Sequence, residues 1–128
     1  MLESTRTALV SHLSKYDAVV EVGIGTRTAI ARDLAAAGVD VTATDVRSRS
    51  VPEDVTFVVD DVTAPDRSYY EGTDAIYALN LPPELHRPTL TLAGEVDTRL
   101  LFTTLGAEQP TVPVEREPIP GDTLYLIG

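Results

Sequence analysis

The sequence predicts an α/β fold with a mostly parallel sheet, and three observations carry that prediction. Short apolar runs of strand length alternate with helix-like segments, a glycine-containing turn follows the first run directly, and the second run ends in an acid. The two ends depart from the alternation. A helix-like segment comes first, and two closely spaced extended segments close the chain.

Leu9, Leu13 and Tyr16, with Ala8 and Val10 beside them, follow a helical repeat, so residues 4–15 read as a first helix with Ser4 as its N-cap. Ala18-Val19-Val20-Glu21-Val22 is a nearly continuous apolar run, the pattern of a central parallel strand covered on both faces. Gly23-Ile24-Gly25 interrupts it, and Thr26 to Ala37 is helix-like, with Ile30, Ala31, Leu34 and Ala35 on one face and Gly38 as its stop.

A second strand, residues 39–45, ends at Asp45, and a polar connection with Pro52 leads to a third, Val55 to Val59. Pro65 to Gly72 has room for one helical turn. A fourth strand, residues 74–79, runs into Asn80-Leu81-Pro82-Pro83; a helix follows, with Pro88 in its first turn and Gly94 at its end. Residues 99–104 form a fifth strand. Residues 112–117 and 123–127 are too close for a crossover helix and should pair as an antiparallel hairpin, with Pro113 marking the first as an edge strand.

Length and composition bound the function classes. The 128 residues fit one domain, 1–128, and 43% hydrophobic content supports one core, built mainly from aliphatic residues because only 5% are aromatic. No apolar stretch reaches the roughly 20 residues that span a bilayer. The N-terminus lacks a secretory signal, which places the expected location in the cytoplasm. Without cysteine there are no disulfides, thiolate metal sites or cysteine nucleophiles, and no metal-ligand spacing is present. Twenty acids against ten cations give a net charge of -10, and Lys15 is the single lysine. In ordinary salt such acidity repels nucleic-acid phosphates. It also matches proteins of salt-loving archaea, in whose medium repulsion is screened within about 3 Å at 1 M salt, so that nucleic acid is not excluded there.

The chemistry concentrates in Glu21-Val22-Gly23-Ile24-Gly25-Thr26-Arg27, between strand and helix. Two glycines let the backbone turn sharply and approach a ligand, and the first amides of the next helix face the same space. Asp45, roughly 20 residues on, stands where a carboxylate accepts the ribose hydroxyls of a nucleoside. In a strand–loop–helix context this points to a Rossmann-type site for a nucleoside-containing small molecule. A dinucleotide site wants a third glycine at position 28, where Thr28 stands.

The leading helix, five parallel-type strands and terminal hairpin together resemble the class I methyltransferase fold, which binds S-adenosylmethionine. That family's acid-x-Gly-x-Gly-x-Gly is matched by Glu21, Gly23 and Gly25, with Arg27 in place of the last glycine. The resemblance implies a Rossmann-like three-layer α/β/α sandwich of strand order 3-2-1-4-5-7-6. It further implies that Glu21, Gly23 and Gly25 surround the methionine part of the cofactor, that Asp45 holds the ribose, and that Asp61 touches the adenine, with Asp60 as its competitor. Arg27 can meet a carboxylate or phosphate, pair with Glu21, or face solvent. Asn80 and the Pro82 backbone occupy the family's catalytic motif, where an amide oxygen and a carbonyl align a target amine without a metal. Leu81 interrupts that motif, and Glu84 replaces its stacking aromatic.

The Glu-Val-Gly-Ile-Gly turn, the Thr-Asp strand end and Ile-Tyr-Ala-Leu-Asn-Leu-Pro-Pro-Glu-Leu in so short a chain are similar to an uncharacterised archaeal family, number 0146, of minimal methyltransferase-like domains. Three function classes follow as expectations. They are a methyltransferase with an unidentified acceptor, a non-catalytic nucleoside-binding module or subunit that pairs with itself or another protein, and a structural domain. His12 reads as a surface residue, and His86 as a helix-start residue or a base near the site.

Overall fold

The computed structural model describes all residues, 1–128. Helix α1 (Glu3–Leu13) precedes β1 (Ala18–Val22), α2 (Ala29–Ala36), β2 (Asp40–Asp45) and β3 (Val55–Val59). A single 3-10 turn, Arg67–Tyr69, leads to β4 (Ala75–Ala78), α3 (Pro83–Glu95), β5 (Arg99–Phe102), β6 (Glu115–Ile119) and β7 (Asp122–Ile127). The seven strands form one sheet in the order β3-β2-β1-β4-β5-β7-β6, as the resemblance implies. The first five are parallel, and β7 runs antiparallel to both β5 and β6.

Strand alternation explains the two cores. Side chains of β1 point alternately to opposite faces, so Val19 joins a cluster with Leu9, Leu13, Ile30 and Leu34 of α1 and α2. Val20 and Val22 instead join Leu92, Ala93, Phe102 and Tyr70 on the face covered by α3. Four of the five β1 residues are buried, which accounts for their near-continuous apolar run. The chain leaves β1 toward β2 on one side and returns through β4 on the other. That reversal opens a crevice at the carboxyl ends of β1 and β4, where open α/β sheets bind ligands.

Several local expectations are corrected. Leu2, not Ser4, caps α1, without a side-chain hydrogen bond. Helix α2 starts at Ala29 rather than Thr26, because the turn needs residues beyond Gly25 and closes with Arg27 N–H on the Ile24 carbonyl at 3.3 Å. Pro83, not Pro88, supplies the first-turn proline of α3; Pro88 lies inside the helix and has no N–H for the exposed Glu84. The hairpin begins at Glu115, so the proline in the edge strand is Pro118, while Val112 is tucked into the second core. No helix is long and apolar enough to cross a membrane.

Candidate ligand site at the carboxyl ends of β1 and β4

The turn after β1 is held by main-chain bonds to the end of β2. The N–H groups of Gly23 and Ile24 both donate to the Thr44 carbonyl, at 2.9 and 3.1 Å. Gly23 and Gly25 have φ of 70° and 58°, left-handed values that a side chain strongly disfavours. A Cβ built on either would meet nothing within 4 Å. The glycines therefore answer to backbone conformation, and the space above them is open. That space is a cavity of about 400 Å³ whose wall includes Glu21, Gly23, Gly25, Arg27, Arg49 and Asn80.

Glu21 is 2% exposed at the back of this cavity. Its Oε1 accepts a 2.6 Å hydrogen bond from the Tyr77 hydroxyl. Burial raises its pKa from 4.5 to about 7, against the partial lowering by Tyr77. The Tyr77 hydroxyl is in turn pushed well above its ordinary value, by burial and by the carboxylate beside it.

Asp45 lies immediately behind the turn, with its carboxylate aimed at the protein. Oδ2 accepts the Gly25 N–H at 2.9 Å and Oδ1 the Arg47 N–H at 3.0 Å. Arg49 Nε lies 3.4 Å from Oδ2, and Arg49, rather than Asp45, lines the cavity. Burial pushes the Asp45 pKa up, but the two amides and the Arg49 charge outweigh it and hold the acid below the usual carboxylate range. The ion contact leaves buried Arg49 Nε without an aligned acceptor.

Asn80 terminates β4 with φ 53°, which no glycine relieves. Its N–H donates to Thr103 Oγ1 at 2.9 Å, and the Leu81 N–H donates to the Thr103 carbonyl at 2.9 Å, so the end of β5 fixes this turn. The amide satisfies both of its neighbours with its oxygen accepting from Arg27 at 3.3 Å and its nitrogen donating to the Thr104 carbonyl at 3.2 Å.

Five of the residues singled out in the sequence thus share one wall: Glu21, Gly23, Gly25, Arg27 and Asn80. Asp61 and Pro82 lie outside it. Exposed Asp61 accepts from the Thr63 amide and hydroxyl at 2.9 and 2.7 Å, which hold its carboxyl below the usual range. Its competitor Asp60 accepts from Tyr70 and from the Asp66 amide. The Pro82 carbonyl already accepts the Leu85 N–H at 2.9 Å.

His86 is neither exposed nor catalytically placed. It is fully buried, with Nδ1 accepting from the Thr111 N–H at 3.1 Å, which leaves Nε2–H to donate to the Leu81 carbonyl at 2.9 Å. It braces the turn after Asn80 against a distant loop. Sequence reasoning missed Arg49 and Tyr77. Tyr77 was detectable in principle, as the register partner of Glu21 on the adjacent strand. Arg49 carries no local signal, because it stands in an irregular polar connection.

The model of a family described as "Uncharacterised protein family (UPF0146)" matches residues 3–125. A UPF0146 protein of Halobacterium salinarum is 49% identical over 115 residues, covering 89% of this chain and 89% of its own. One from Archaeoglobus fulgidus is 47% identical over 87 residues, covering 68% and 67%. Among solved structures, an RNA methyltransferase of Salinibacter ruber in complex with S-adenosyl-L-homocysteine superimposes with a TM-score of 0.68 at 14% identity, covering 98% of this chain and 90% of that one. A SAM-dependent methyltransferase of Corynebacterium glutamicum gives 0.65 at 18% identity, covering 98% and 86%. A Rhodobacter sphaeroides chain grouped with the zinc-dependent alcohol dehydrogenases gives 0.63 at 19% identity, and this chain spans 48% of it. At such identities the likeness establishes a Rossmann-like fold of the methyltransferase type and carries no activity with it.

Proposed function

The chain belongs to the uncharacterised protein family UPF0146, and from that premise we propose that it binds S-adenosylmethionine in the cavity above Gly23 and Gly25 and presents it to an acceptor held at Asn80. The observation that carries this reading is the turn itself. Two left-handed glycines with open space above them, a buried acid behind and a guanidinium in front make a cradle for a compact zwitterionic ligand.

The residues present fit such a cofactor. Glu21, Gly23 and Gly25 would receive its amino-acid portion, and Arg27 its carboxylate. Asp45 would take the ribose hydroxyls once Arg49 withdraws, and Asp61 would stand toward the adenine. When bound, the cofactor supplies a methyl group on a sulfonium, and its displacement is chiefly a matter of alignment. The chain's own contribution is positional. Asn80 is locked by Thr103 and Thr104, so its amide oxygen is held at a fixed point of the cavity wall, ready to accept from an acceptor's N–H or O–H in place of Arg27. Ionised Glu21 would favour a cationic ligand over a neutral one.

A specific observation favours a second reading, a binding module without chemistry. The Pro82 carbonyl, the other aligning group expected of this motif, is engaged by Leu85, and no aromatic stands at position 84. Thermal melting in high salt with S-adenosylmethionine, its demethylated product and NAD separates these readings. A ligand at about 100 times its dissociation constant adds about 2.7 kcal/mol of stability. The expected result is a rise in Tm with the first two and none with NAD. A rise with NAD alone overturns the cofactor assignment. A rise with the first two, without methyl transfer to any acceptor offered, supports the binding module.

A further inference from the structure

Beside the glycine turn, a second cavity of about 460 Å³ adjoins the first, and Met1, Thr26, Arg27 and Leu79 line both. Arg6, Arg27 and Arg32 all line it. The chain carries twice as many acids as cations, yet neither Arg27 nor Arg32 belongs to any of its ion pairs. Arg32 donates to Thr28 Oγ1 at 3.2 Å, and Arg6 uses only Nε on Asp33, at 3.3 Å. Most of their N–H groups are free for a ligand. Thr28, whose hydroxyl receives Arg32, gives no capping bond to α2, and the first turn of that helix opens on the same space.

Three cations lining one furrow, of which only Arg6 is paired with an acid, repel one another, a cost that an arriving anion lowers. The planar fork of arginine matches the oxygens of phosphate, and three forks suit a dianion better than a single carboxylate. A volume of this size admits one phosphate group and a small organic body. The net charge of -10 opposes approach of a polyanion. We infer that the furrow walled by Arg6, Arg27 and Arg32 is an anion subsite that receives the phosphate of a small phosphorylated methyl acceptor. The existence of the subsite stands on the arginines alone. Its assignment to an acceptor rests on the methyl-transfer reading, because Arg27 joins this furrow to the Asn80 wall.

The test uses the full chain in high potassium chloride at constant ionic strength, with inorganic phosphate as probe. Its 31P line width is followed with and without S-adenosylhomocysteine, whose own affinity is measured by calorimetry. The wild type should broaden the phosphate signal, and saturation with S-adenosylhomocysteine should leave that broadening in place. The double variant Arg6→Gln/Arg32→Gln should weaken phosphate binding by about tenfold or more while leaving the nucleoside affinity unchanged. Arg116→Gln, over the Tyr125 ring at the far side of the sheet, should change neither. No broadening by the wild type, or undiminished broadening by the double variant, overturns the subsite. Displacement of phosphate by S-adenosylhomocysteine also overturns the inference, since the furrow would then serve the cofactor's carboxylate. Phosphate binding without any nucleoside binding leaves the anion subsite standing and overturns its assignment to a methyl acceptor.

Discussion

The Tyr77 hydroxyl donates a 2.6 Å hydrogen bond to Glu21 Oε1 between adjacent, in-register strands, and the pair is buried beneath the open turn of Gly23 and Gly25. One acid and one phenol thus replace an apolar contact in the middle of the sheet. Burial raises the Glu21 pKa and the Tyr77 hydrogen bond only partly offsets it, so Glu21 changes charge near neutrality, while burial and the carboxylate both push Tyr77 up.

Glu21→Gln should stabilise the protein at alkaline pH. In the folded chain the acid titrates at about 7, against 4.5 when unperturbed. Below the lower value it is protonated in both folded and unfolded states and has no effect on stability. As pH rises from there through 7, the unfolded chain releases its proton more readily, and stability falls by on the order of 3 kcal/mol. Glutamine removes that loss and keeps an acceptor for Tyr77. Denaturant midpoints should therefore separate at pH 8, with the variant higher, and converge near pH 4. A constant gap at both pH values would contradict the raised pKa.

Asp45→Asn should act in the opposite sense. The carboxylate is depressed by the Gly25 and Arg47 amides and by Arg49, so its stabilisation is present above the ordinary value near 3.8 and lost as pH falls through the folded value. The variant should lose about 1–3 kcal/mol at pH 7, and the two proteins should become equally stable in acid. Urea melts at both pH values check this.

Arg49→Ala should expose Asp45 to the cavity. Arg49 lines the cavity and pairs with that carboxylate, which does not line it, and its Nε is poorly satisfied. Calorimetry with S-adenosylhomocysteine should show binding tightened severalfold, by about 1 kcal/mol. Unchanged or weaker binding would mean that Arg49 is not an obstacle to the ribose.

Gly25→Ala should cost about 1–2 kcal/mol in stability, because its φ of 58° is left-handed while the space for a Cβ is free. The loss is conformational and not a clash. Ala31→Gly in the adjacent helix serves as a control of similar cost that should leave ligand affinity intact, whereas Gly25→Ala should weaken it. Equal effects of the two on affinity would remove the turn from the site.

His86→Ala should destabilise strongly, by about 2–4 kcal/mol, through the unpaired Leu81 carbonyl and Thr111 amide and the lost packing on Phe102 at 4.7 Å. Thermal unfolding measures this. A stable variant would show that the ring does not brace the turn.

Much of the molecule was legible along the chain. Val55–Val59 is the strand as bounded by its residues, and the apolar runs of β1, β4 and β5 mark buried strands, because alternation and burial are written into local composition. Helix starts were less legible. Thr26 looks like a helix start, but the turn geometry of two left-handed glycines delays the helix to Ala29. Pro88 looks like a first-turn proline, yet the packing of His86, Thr89 and Leu92 holds the helix through it.

By itself the sequence determined the alternation of elements, the glycine turn and the identity of the acids and arginines available to it, since these depend on neighbours along the chain. Only the tertiary structure decided that Tyr77 meets Glu21, that Arg49 covers Asp45, and that Arg6, Arg27 and Arg32 face one furrow. Glu21 and Tyr77 lie 56 positions apart and the three arginines come from α1, the glycine turn and α2, while Arg49 reaches back only four residues to Asp45 from an irregular connection. Strand register sets the Glu21–Tyr77 distance and helix docking brings Arg6 to the furrow, and neither is encoded in any single segment.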